Sequence, residues 1–362
     1  MKFSSAPIKF GVCGLGRIGA QHCRFFSKDS ARYQPVAFCD TDATRARETA
    51  AKYQGKPCTD FAAFLADPDM ELAIIATRSL DHARHAEQAI AAGKIVLLEK
   101  PIGVTARDYA TLQRLAREHP GKLYCGHNHR FEPAFQNTLA IVREGILGKI
   151  YAVKLSKHHV FMRRGDWQAR LDCGGGQLSV WGPHLLDHAL QLLGGSPVRG
   201  VWSYLRRVLT PGDADDHMRV LLSAENGVVA EIEISNSVAL PAPSCVIYGD
   251  RGSLVCGQEQ KEIRLRYLAP DFHWGAASAS ADTPPVEGPW HEGADKLPWI
   301  EETRAVTPDV NMWDYVEIEL ARHLHAAIRG GVPFPIKNSD ALEVVRLTEI
   351  VKKQNAQFNW AG

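Results

Sequence analysis

Residues 174–188, GGGQLSVWGPHLLDH, combine backbone freedom with side chains that could do chemistry. Three consecutive glycines let the backbone come close to a ligand. Trp181 offers an apolar plate for a sugar ring. His184 is a natural general base for an alcohol proton, because imidazole titrates near neutral pH. The segment therefore predicts acid–base chemistry on a hydroxyl group.

A metal site is a second interpretation of the same segment. His184 and His188 are four residues apart, as in zinc-binding helices. The nearby acid is Asp187, which stands beside the second histidine, and no third ligand is evident. We therefore predict no metal site, and we expect His188 to be a partly exposed helix residue.

Lys100 is the other candidate for chemistry, in the sequence Glu99-Lys100-Pro101 after a predicted buried strand. Ligands of open parallel sheets bind beyond the carboxyl ends of the strands. An ammonium group there could hydrogen-bond a substrate oxygen and stabilise developing negative charge. From spacing alone, a solvated lysine paired with Glu99 is an equal alternative.

A glycine-rich loop near the start of the chain predicts a dinucleotide site. Gly14, Gly16 and Gly19 spell G-x-G-x-x-G between a short apolar strand and a helix. The first glycine makes the tight turn, the second lets the backbone approach a pyrophosphate, and the third lets the helix pack close to the strand. Asp40 ends the next strand, where an acid binds the adenosine ribose and repels a 2′-phosphate, so NAD is favoured over NADP.

The elements around these residues alternate between strand and helix. Buried strands over 72–76 and 95–98 flank an Ala-rich helix, which predicts a doubly wound parallel sheet in the first third of the chain. Two amphipathic helices are expected over 311–331 and 339–354. The tract 269–309, rich in Pro, Gly and Trp, is typical of a long loop that forms a lid or an oligomer arm.

Composition excludes several classes of protein. The chain has 362 residues, 45% of them hydrophobic, which suits two domains. Its net charge of +1 argues against a nucleic-acid or membrane-surface binder, and no run approaches the length of a membrane span. No secretory signal is visible, and the eight cysteines form no CxxC pair, so we expect a reduced, cytoplasmic protein.

The ordered motifs of the chain resemble those of the glucose–fructose oxidoreductase / inositol dehydrogenase (Gfo/Idh/MocA) family. They are GLGRIG (14–19), Asp40, IATRSLDH (75–82), AGKIVLLEKP (92–101), GHNHRF (126–131), EGILGKIYAV (144–153) and GGGQLSVWGPHLLD (174–187). The resemblance implies an α/β protein with an N-terminal Rossmann domain over 1–126. It also implies a C-terminal α/β domain over 127–362, whose large, open, mostly antiparallel sheet commonly forms an oligomer interface and whose last helices can pack back on the first domain.

The resemblance also assigns roles to residues. It makes Lys100 and His184 catalytic, with a peptide bond before Pro101 that is often cis. Besides the three glycines and Asp40, the residues it places at the cofactor NAD are Arg17, Ile18, Thr77, His82, Glu99, Lys100 and Asn128. Arg130 would also border the nicotinamide end; the alternatives are an interdomain salt bridge for Arg130 and a turn cap for Asn128.

The chain departs from the family pattern at Val180, where the family has a catalytic Asp. Val180 can neither orient an imidazole nor accept a proton, so the carry-over holds only for Lys100 and His184. Asp187 could orient the ring of His184 instead. Its alternative role is to cap a neighbouring backbone segment.

Candidate substrate contacts lie on both sides of the glycines. They are Arg163, Arg164, Asp166, Trp167, Trp181 and Asp187, and a charge-rich surface loop is the alternative for the first four. We predict a NAD(H)-dependent oxidoreductase that acts on a hydroxyl-bearing carbon of a sugar, sugar acid or cyclitol, in a homo-oligomer (dimer or tetramer). Two alternatives stay open: a NAD-dependent glycoside-cleaving enzyme that works by transient oxidation and elimination, and a non-catalytic cofactor-bound binding or regulatory protein.

Overall fold

The computed structural model of the protein describes residues 6–275, 280–282, 284 and 297–359. The first sheet of this described part is built from β1 (Ile8–Cys13), β2 (Tyr33–Cys39), β3 (Lys56–Cys58), β4 (Leu72–Ile75), β5 (Ile95–Glu99) and β6 (Leu123–Gly126). These strands are parallel, in the order β3-β2-β1-β4-β5-β6. β1, β4 and β5 are nearly continuous buried apolar runs, as expected for strands covered by helices on both faces.

Helices connect these strands. They are α1 (Arg17–Lys28), α2 (Ala43–Tyr53), α3 (Phe61–Leu65), α4 (His82–Ala91) and α5 (Ala106–Glu118). Asp42 caps α2 by accepting from the backbone N–H groups of Thr44 and Arg45, and Thr105 and Asp108 form a capping box on α5. The alternation of strand and helix confirms the predicted doubly wound parallel sheet.

The second sheet follows in the chain and is mostly antiparallel. Its strands are β7 (Ile150–His158), β8 (Val198–Arg206), β9 (His217–Ala224), β10 (Val229–Ser235), β11 (Cys245–Gly249), β12 (Gly252–Cys256), β13 (Glu262–Leu268) and β14 (Trp299–Ala305). They lie in the order β14-β13-β12-β11-β7-β10-β9-β8, and within this sheet β7 and β10 pair in parallel. This sheet confirms the architecture that the resemblance implied for the second domain.

Helices cover one face of the second sheet. They are α6 (Pro133–Glu144), α7 (Gln177–Val180) and α8 (Gly182–Leu192). Alternate strand residues such as Val220, Ile232 and Ile234 are fully buried against this layer, together with Leu186 and Ala189 of α8. Because α7 and α8 pack on the sheet, they fix the position of the glycine-rich segment 174–176 that precedes them.

The last two helices join the two cores. α9 (Met312–Gly330) and α10 (Asn338–Gln354) match the two helices that the apolar periodicity predicted, with α10 beginning one residue earlier than predicted. Leu320 and Leu324 of α9 pack in the core of the first sheet, and the hydroxyl of Tyr33 donates to the carbonyl of Ala321 at 2.7 Å. α10 contributes Val345 to the first core and Leu347 to the second, so the chain returns to its first domain.

The prediction of one long loop over 269–309 is wrong for its last part. Residues 299–305 form β14, which pairs antiparallel with β13 at the edge of the second sheet. An edge strand that is exposed along one side carries polar residues, so its sequence lacks a strong strand pattern. Residues 276–279, 283 and 285–296 of the tract lie outside the described residues. Among the described helices, none is long and apolar enough to cross a membrane.

Candidate active site

The candidate site lies where the carboxyl ends of the parallel strands meet the start of α8. Lys100 directly follows β5, and its Nζ donates a hydrogen bond of 2.9 Å to the carbonyl oxygen of Val180, the last residue of α7. The peptide bond between Lys100 and Pro101 is cis, as the resemblance implied. The structure thus brings Lys100 to the glycine-rich segment across 80 residues of chain.

The glycine loop has the shape of a dinucleotide cradle. A Cβ on Gly14, whose φ is +89°, would overlap the carbonyl oxygen of Ala76, and one on Gly19 would overlap that of Gly14. Gly16 differs, because no heavy atom of the described chain lies within 4 Å of its ideal Cβ. Gly16 is also the N-cap of α1 and makes no side-chain cap, so the open space adjoins free helical N–H groups. These residues fit a pyrophosphate, which the helix terminus would attract.

Asp40 is buried beside this loop, with 8% of its surface exposed. Its carboxylate accepts from the backbone N–H of Leu15 at 2.8 Å and from that of Asp42 at 2.9 Å. Arg45 also donates to both oxygens, at 3.1 and 3.2 Å. Sequence reasoning missed Arg45, which stands five residues after Asp40; the first turn of α2 places its guanidinium beside that carboxylate.

His82 links the two loops that flank the cofactor space. Its Nδ1 is 2.8 Å from the carbonyl oxygen of Pro101 and its Nε2 is 3.1 Å from that of Thr77. The ring is buried, and burial lowers its pKa. His82 therefore positions the backbone around Lys100, whereas Arg17 and Ile18 lie at the start of α1 next to the open space at Gly16.

A buried polar network supports the end of β5. His22 lies between two carboxylates, with Nε2 at 2.8 Å from Oε1 of Glu99 and Nδ1 at 3.1 Å from Oε2 of Glu317. Burial opposes the charged imidazole, but Glu317 and Glu99 outweigh burial and raise the pKa of His22 to about 10. Asn128 donates to Glu317 at 2.7 Å. Asn128 thus contacts α9 through its amide rather than capping a turn.

Sequence reasoning missed His22 and Glu317. His22 follows the glycine loop on the buried face of α1, and no motif marks it. Glu317 stands on α9, almost 300 residues away, and only the return of that helix to the first domain brings the two together. The one signal in the sequence is that Glu317 falls on the apolar face of α9, three and seven residues before Leu320 and Leu324.

Lys100 is half-buried, with its amine held inside the site. Burial lowers the pKa of Lys100 to about 8, opposed by Glu99 and assisted by the positive charges of Arg17 and Arg164. The amine accordingly carries a proton through most of the physiological range and can lose it at mildly alkaline pH.

His184 lies in an aromatic pocket close to Lys100. Its ring centroid is 4.1 Å from that of His129 and 5.5 Å from that of Trp181. Burial, followed by the charges of His129 and Lys100, holds the pKa of His184 well below its usual range, so the ring stays neutral. Its Nδ1 is sealed from solvent with no hydrogen-bond partner among the described residues, which leaves Nε2 as the nitrogen open to a ligand.

His129 brings a carboxylate to this pocket that sequence reasoning did not identify. Its Nδ1 forms an ion pair with Glu132, and both residues are buried. Burial would raise the pKa of Glu132, but His129 outweighs it and lowers that pKa to about 2. The spacing of three residues, in a short helical turn before α6, was the available signal.

Asp187 faces Arg130 rather than His184. Its Oδ2 accepts from Nε of Arg130 at 2.6 Å, and its Oδ1 pairs with Nη2 of the same guanidinium. Arg130 also donates to Asp340 at 3.3 Å at the start of α10. Arg130 thus forms salt bridges, though to residues within 127–362 rather than across the predicted domain boundary, and Asp187 binds a side chain rather than capping a backbone segment. A carboxylate engaged at both oxygens cannot also orient the base.

The expectation that His188 is partly exposed is wrong. It is buried, stacks on Phe135 with the ring centroids 3.8 Å apart, and its Nε2 lies 2.8 Å from the carbonyl oxygen of His129. α8 is covered on both sides, by α6 and by the second sheet, so its polar face is not a solvent face. Among the described residues, no group of three or more His, Cys, Asp or Glu side chains is arranged to hold a metal ion.

The candidate substrate residues divide into two sets. Arg163, Asp166 and Trp167 are exposed, and two of them have local partners: Arg163 donates to the carbonyl of Leu209 at 3.0 Å and Asp166 accepts from the N–H of Gln168 at 2.9 Å. Trp181 is buried in the pocket of His184. Arg164 lines a cavity together with Val180, so it is the arginine of this loop that reaches the site.

Comparison with known proteins agrees with this geometry. Residues 8–127 match the family model described as "Oxidoreductase family, NAD-binding Rossmann fold", and residues 135–255 match the GFO/IDH/MocA C-terminal domain. The chain is 31% identical to the 1-carboxy-3-chloro-3,4-dihydroxycyclohexa-1,5-diene dehydrogenase of Comamonas testosteroni, over 63% of this chain and 58% of that protein. It is 27% identical to the inositol 2-dehydrogenase of Rhizobium meliloti (strain 1021), over 74% and 82%.

The fold also matches solved structures. Levoglucosan dehydrogenase, in a complex with NADH, aligns with a TM-score of 0.77 and 19% identity over 98% of both chains. The alignment with the Comamonas testosteroni dehydrogenase covers less than two thirds of the length of that protein. The two matched domain models together cover most of the chain in the order that the fold requires. The chain therefore belongs to the Gfo/Idh/MocA oxidoreductase family, and its first domain is the NAD-binding Rossmann domain of that family.

Proposed function

We propose that the protein is a NAD(H)-dependent dehydrogenase that acts on a hydroxyl-bearing carbon of a sugar, sugar acid or cyclitol. The observation that carries this proposal is the position of the Lys100 amine, 2.9 Å from the Val180 carbonyl at the carboxyl edge of the cofactor-binding sheet. A cation held by a neutral acceptor keeps its charge available for a substrate oxygen. The relatives named as dehydrogenases of a cyclic diol and of inositol support the same class of substrate.

In alcohol oxidation, Lys100 and His184 have different roles. The cofactor, when bound, supplies the hydride acceptor. Lys100 donates a hydrogen bond from Nζ to the substrate hydroxyl and stabilises the negative charge that develops on its oxygen. Neutral His184 takes the hydroxyl proton, at Nε2, as the carbonyl forms. In the reverse direction, the same two groups return the proton to the oxygen.

Two further proposals concern the choice between NAD and NADP and the cellular location of the protein. We propose that NAD binds more tightly than NADP, because the carboxylate of Asp40 would repel a 2′-phosphate; Arg45 on that carboxylate weakens the repulsion. We also propose a cytoplasmic location, since all eight cysteines are free thiols.

A homo-oligomer is proposed from the free face of the second sheet. Tyr151, Trp202, Tyr204 and Val229 are exposed apolar or aromatic side chains on its strands. A face of this kind favours burial against a second copy. Light scattering of the purified protein tests this, and a monomer at working concentration would contradict it.

The central proposal is tested with purified protein, NAD and a panel of sugars, sugar acids, cyclitols and aryl glycosides. We expect net NADH, followed by its near-ultraviolet absorbance, with at least one member of the panel that carries a free hydroxyl. Lys100→Met should bind NAD normally and lose turnover by orders of magnitude. Release of aglycone without net NADH would instead identify a glycoside-cleaving enzyme, and silence in both assays with NAD bound would identify a binding protein.

A further inference from the structure

Arg164 reaches a small polar cavity beside the catalytic lysine. Val180, whose carbonyl binds Lys100, lines this cavity together with Gln177 and Asn236. The Nε of Arg164 and the Oε1 of Gln177 are buried without a hydrogen-bond partner in the described part of the chain. The cavity has a volume of about 10 Å³, the room of one water. Buried polar groups are nearly always satisfied, so this unpaired donor and acceptor indicate a position that one water or one ligand oxygen completes.

Lys157 brings a second positive charge to the same region. It lies on β7 with its Nζ 4.3 Å from the centroid of the Trp181 ring. Burial lowers the pKa of Lys157, and Glu132 opposes that shift from a distance. His159, just after β7, has its Nδ1 3.1 Å from Oδ1 of Asn236, which lines the Arg164 cavity. The end of β7 thus lies between the Trp181 ring and a residue of that cavity.

The acidic side chains near these cations are already engaged. Glu132 forms an ion pair with His129, and Glu99 is held by His22. Asp215 lines the cavity itself, accepts from the N–H of Leu178, and has its pKa raised to about 7 by burial. Asp216 also lines the cavity and accepts from the backbone N–H groups of Val208, Leu209 and Thr210 at 2.6–2.7 Å. These carboxylates are therefore held by donors other than Arg164 and Lys157.

The guanidinium of Arg164 forms only a long ion pair on the side away from the cavity. Its Nη1 is 3.6 Å from Oδ2 of the exposed Asp166, which is longer than a hydrogen bond. An exposed ion pair at that distance contributes little free energy and is easily exchanged. The guanidinium is therefore free to take another carboxylate as its bidentate partner.

We propose that the substrate carries a carboxylate, bound by Arg164 and Lys157, while Lys100 and His184 act on one of its hydroxyl groups. This inference rests on the proposed function, because it names the substrate class of that same site. The planar fork of a guanidinium matches a carboxylate, and the ammonium of Lys157 adds charge without demanding a direction. The substrate class is a sugar acid, such as an aldonate or a uronate, rather than a neutral sugar or cyclitol.

Matched pairs of substrates test the carboxylate directly. With saturating NAD, we compare kcat/KM for glucose with glucuronate and for galactose with galacturonate. Each acid is expected to exceed its neutral partner by about tenfold or more, as for a charge-assisted hydrogen bond. A sugar phosphate preferred over both would overturn the carboxylate assignment, as would a preference for the neutral sugars.

Substitution of Arg164 and of Lys157 tests whether these two residues bind the carboxylate. Arg164→Gln and Lys157→Gln should each raise KM for the acids by about tenfold and change kcat/KM for the neutral sugars much less. Arg170→Gln is the matched control, because Arg170 lies in the same loop but is exposed and paired with Asp172. Equal losses on acids and neutral sugars, or an effect of Arg170→Gln equal to that of Arg164→Gln, would overturn the proposal.

A binding measurement separates this inference from the proposed function. Glucuronate and glucose are titrated into the NAD-loaded protein in a calorimeter. We expect the acid to bind, and Arg164→Gln to raise its Kd by about tenfold, whether or not any compound is oxidised. If no sugar yields NADH but glucuronate binds in this way, the carboxylate site stands and the dehydrogenase proposal fails; if the acid binds no better than glucose, the carboxylate site fails.

Discussion

The amine of Lys100 is bound by the main-chain carbonyl oxygen of Val180, at 2.9 Å. The position at which the family pattern has an acid therefore still contacts the lysine, but through the backbone. A carbonyl oxygen accepts a hydrogen bond without neutralising the ammonium charge, and it cannot take a proton. Proton transfer is left to His184, and the charge of Lys100 is left for the substrate oxygen.

The pH dependence of turnover is the first prediction. Burial lowers the pKa of Lys100 to about 8, and the proposed role requires its protonated form. kcat/KM for alcohol oxidation should accordingly be full below that pH and fall as the pH rises through about 8. His184 is neutral until well below pH 6.5, so it sets no limit near neutrality. A rate that rises through pH 8 would instead make Lys100 the base.

A carboxylate at position 180 should move that alkaline limit. In Val180→Asp, the new charge lies next to Lys100 and stabilises its ammonium form, so the fall in kcat/KM should shift to higher pH. Val180→Asn is the matched control, since it has the same shape without the charge and should leave the limit in place. A full pH profile of each variant measures the shift; identical profiles for the two variants would contradict the prediction.

Two glycines of the cofactor loop should respond differently to alanine. Gly16 has a φ of −66° and open space at its Cβ, so Gly16→Ala should fold with unchanged or slightly higher stability. Its methyl group would fill the space in which a pyrophosphate approaches, and the Kd for NAD should rise about tenfold or more. Gly19→Ala should lose thermal stability, because its Cβ overlaps the Gly14 carbonyl. Normal NAD affinity in Gly16→Ala, by fluorescence titration, would remove Gly16 from the cofactor site.

Asp187 should be required for stability rather than for substrate binding. Both its oxygens are engaged by Arg130, and the pair is buried, so Asp187→Asn should lower the free energy of unfolding by about 3–5 kcal/mol. KM should change little in protein that remains folded. Denaturant unfolding and kinetics on the same preparation measure both quantities. Asp172→Asn, at an exposed pair, is the control; a raised KM with normal stability would return Asp187 to the substrate contacts.

Much of this protein follows from local sequence. The glycine spacing requires a tight turn and a close helix, and the apolar runs 72–76 and 95–98 predict the buried strands observed as β4 and β5, with Lys100 just after the second. These inferences hold because steric limits on glycine positions and the periodicity of burial act over a few residues. His184 could be identified in the same way, from its place just after a glycine-rich segment.

Only the tertiary structure decided which side chains meet. Arg164 rather than Arg163 lines the cavity at Val180, because a loop without periodicity does not reveal the direction of its side chains. Asp187 pairs with Arg130, and His22 pairs with Glu317, because α8 and α9 are packed against elements distant in the chain. Partner choice among buried charges depends on distances and desolvation that exist only after the two cores have formed.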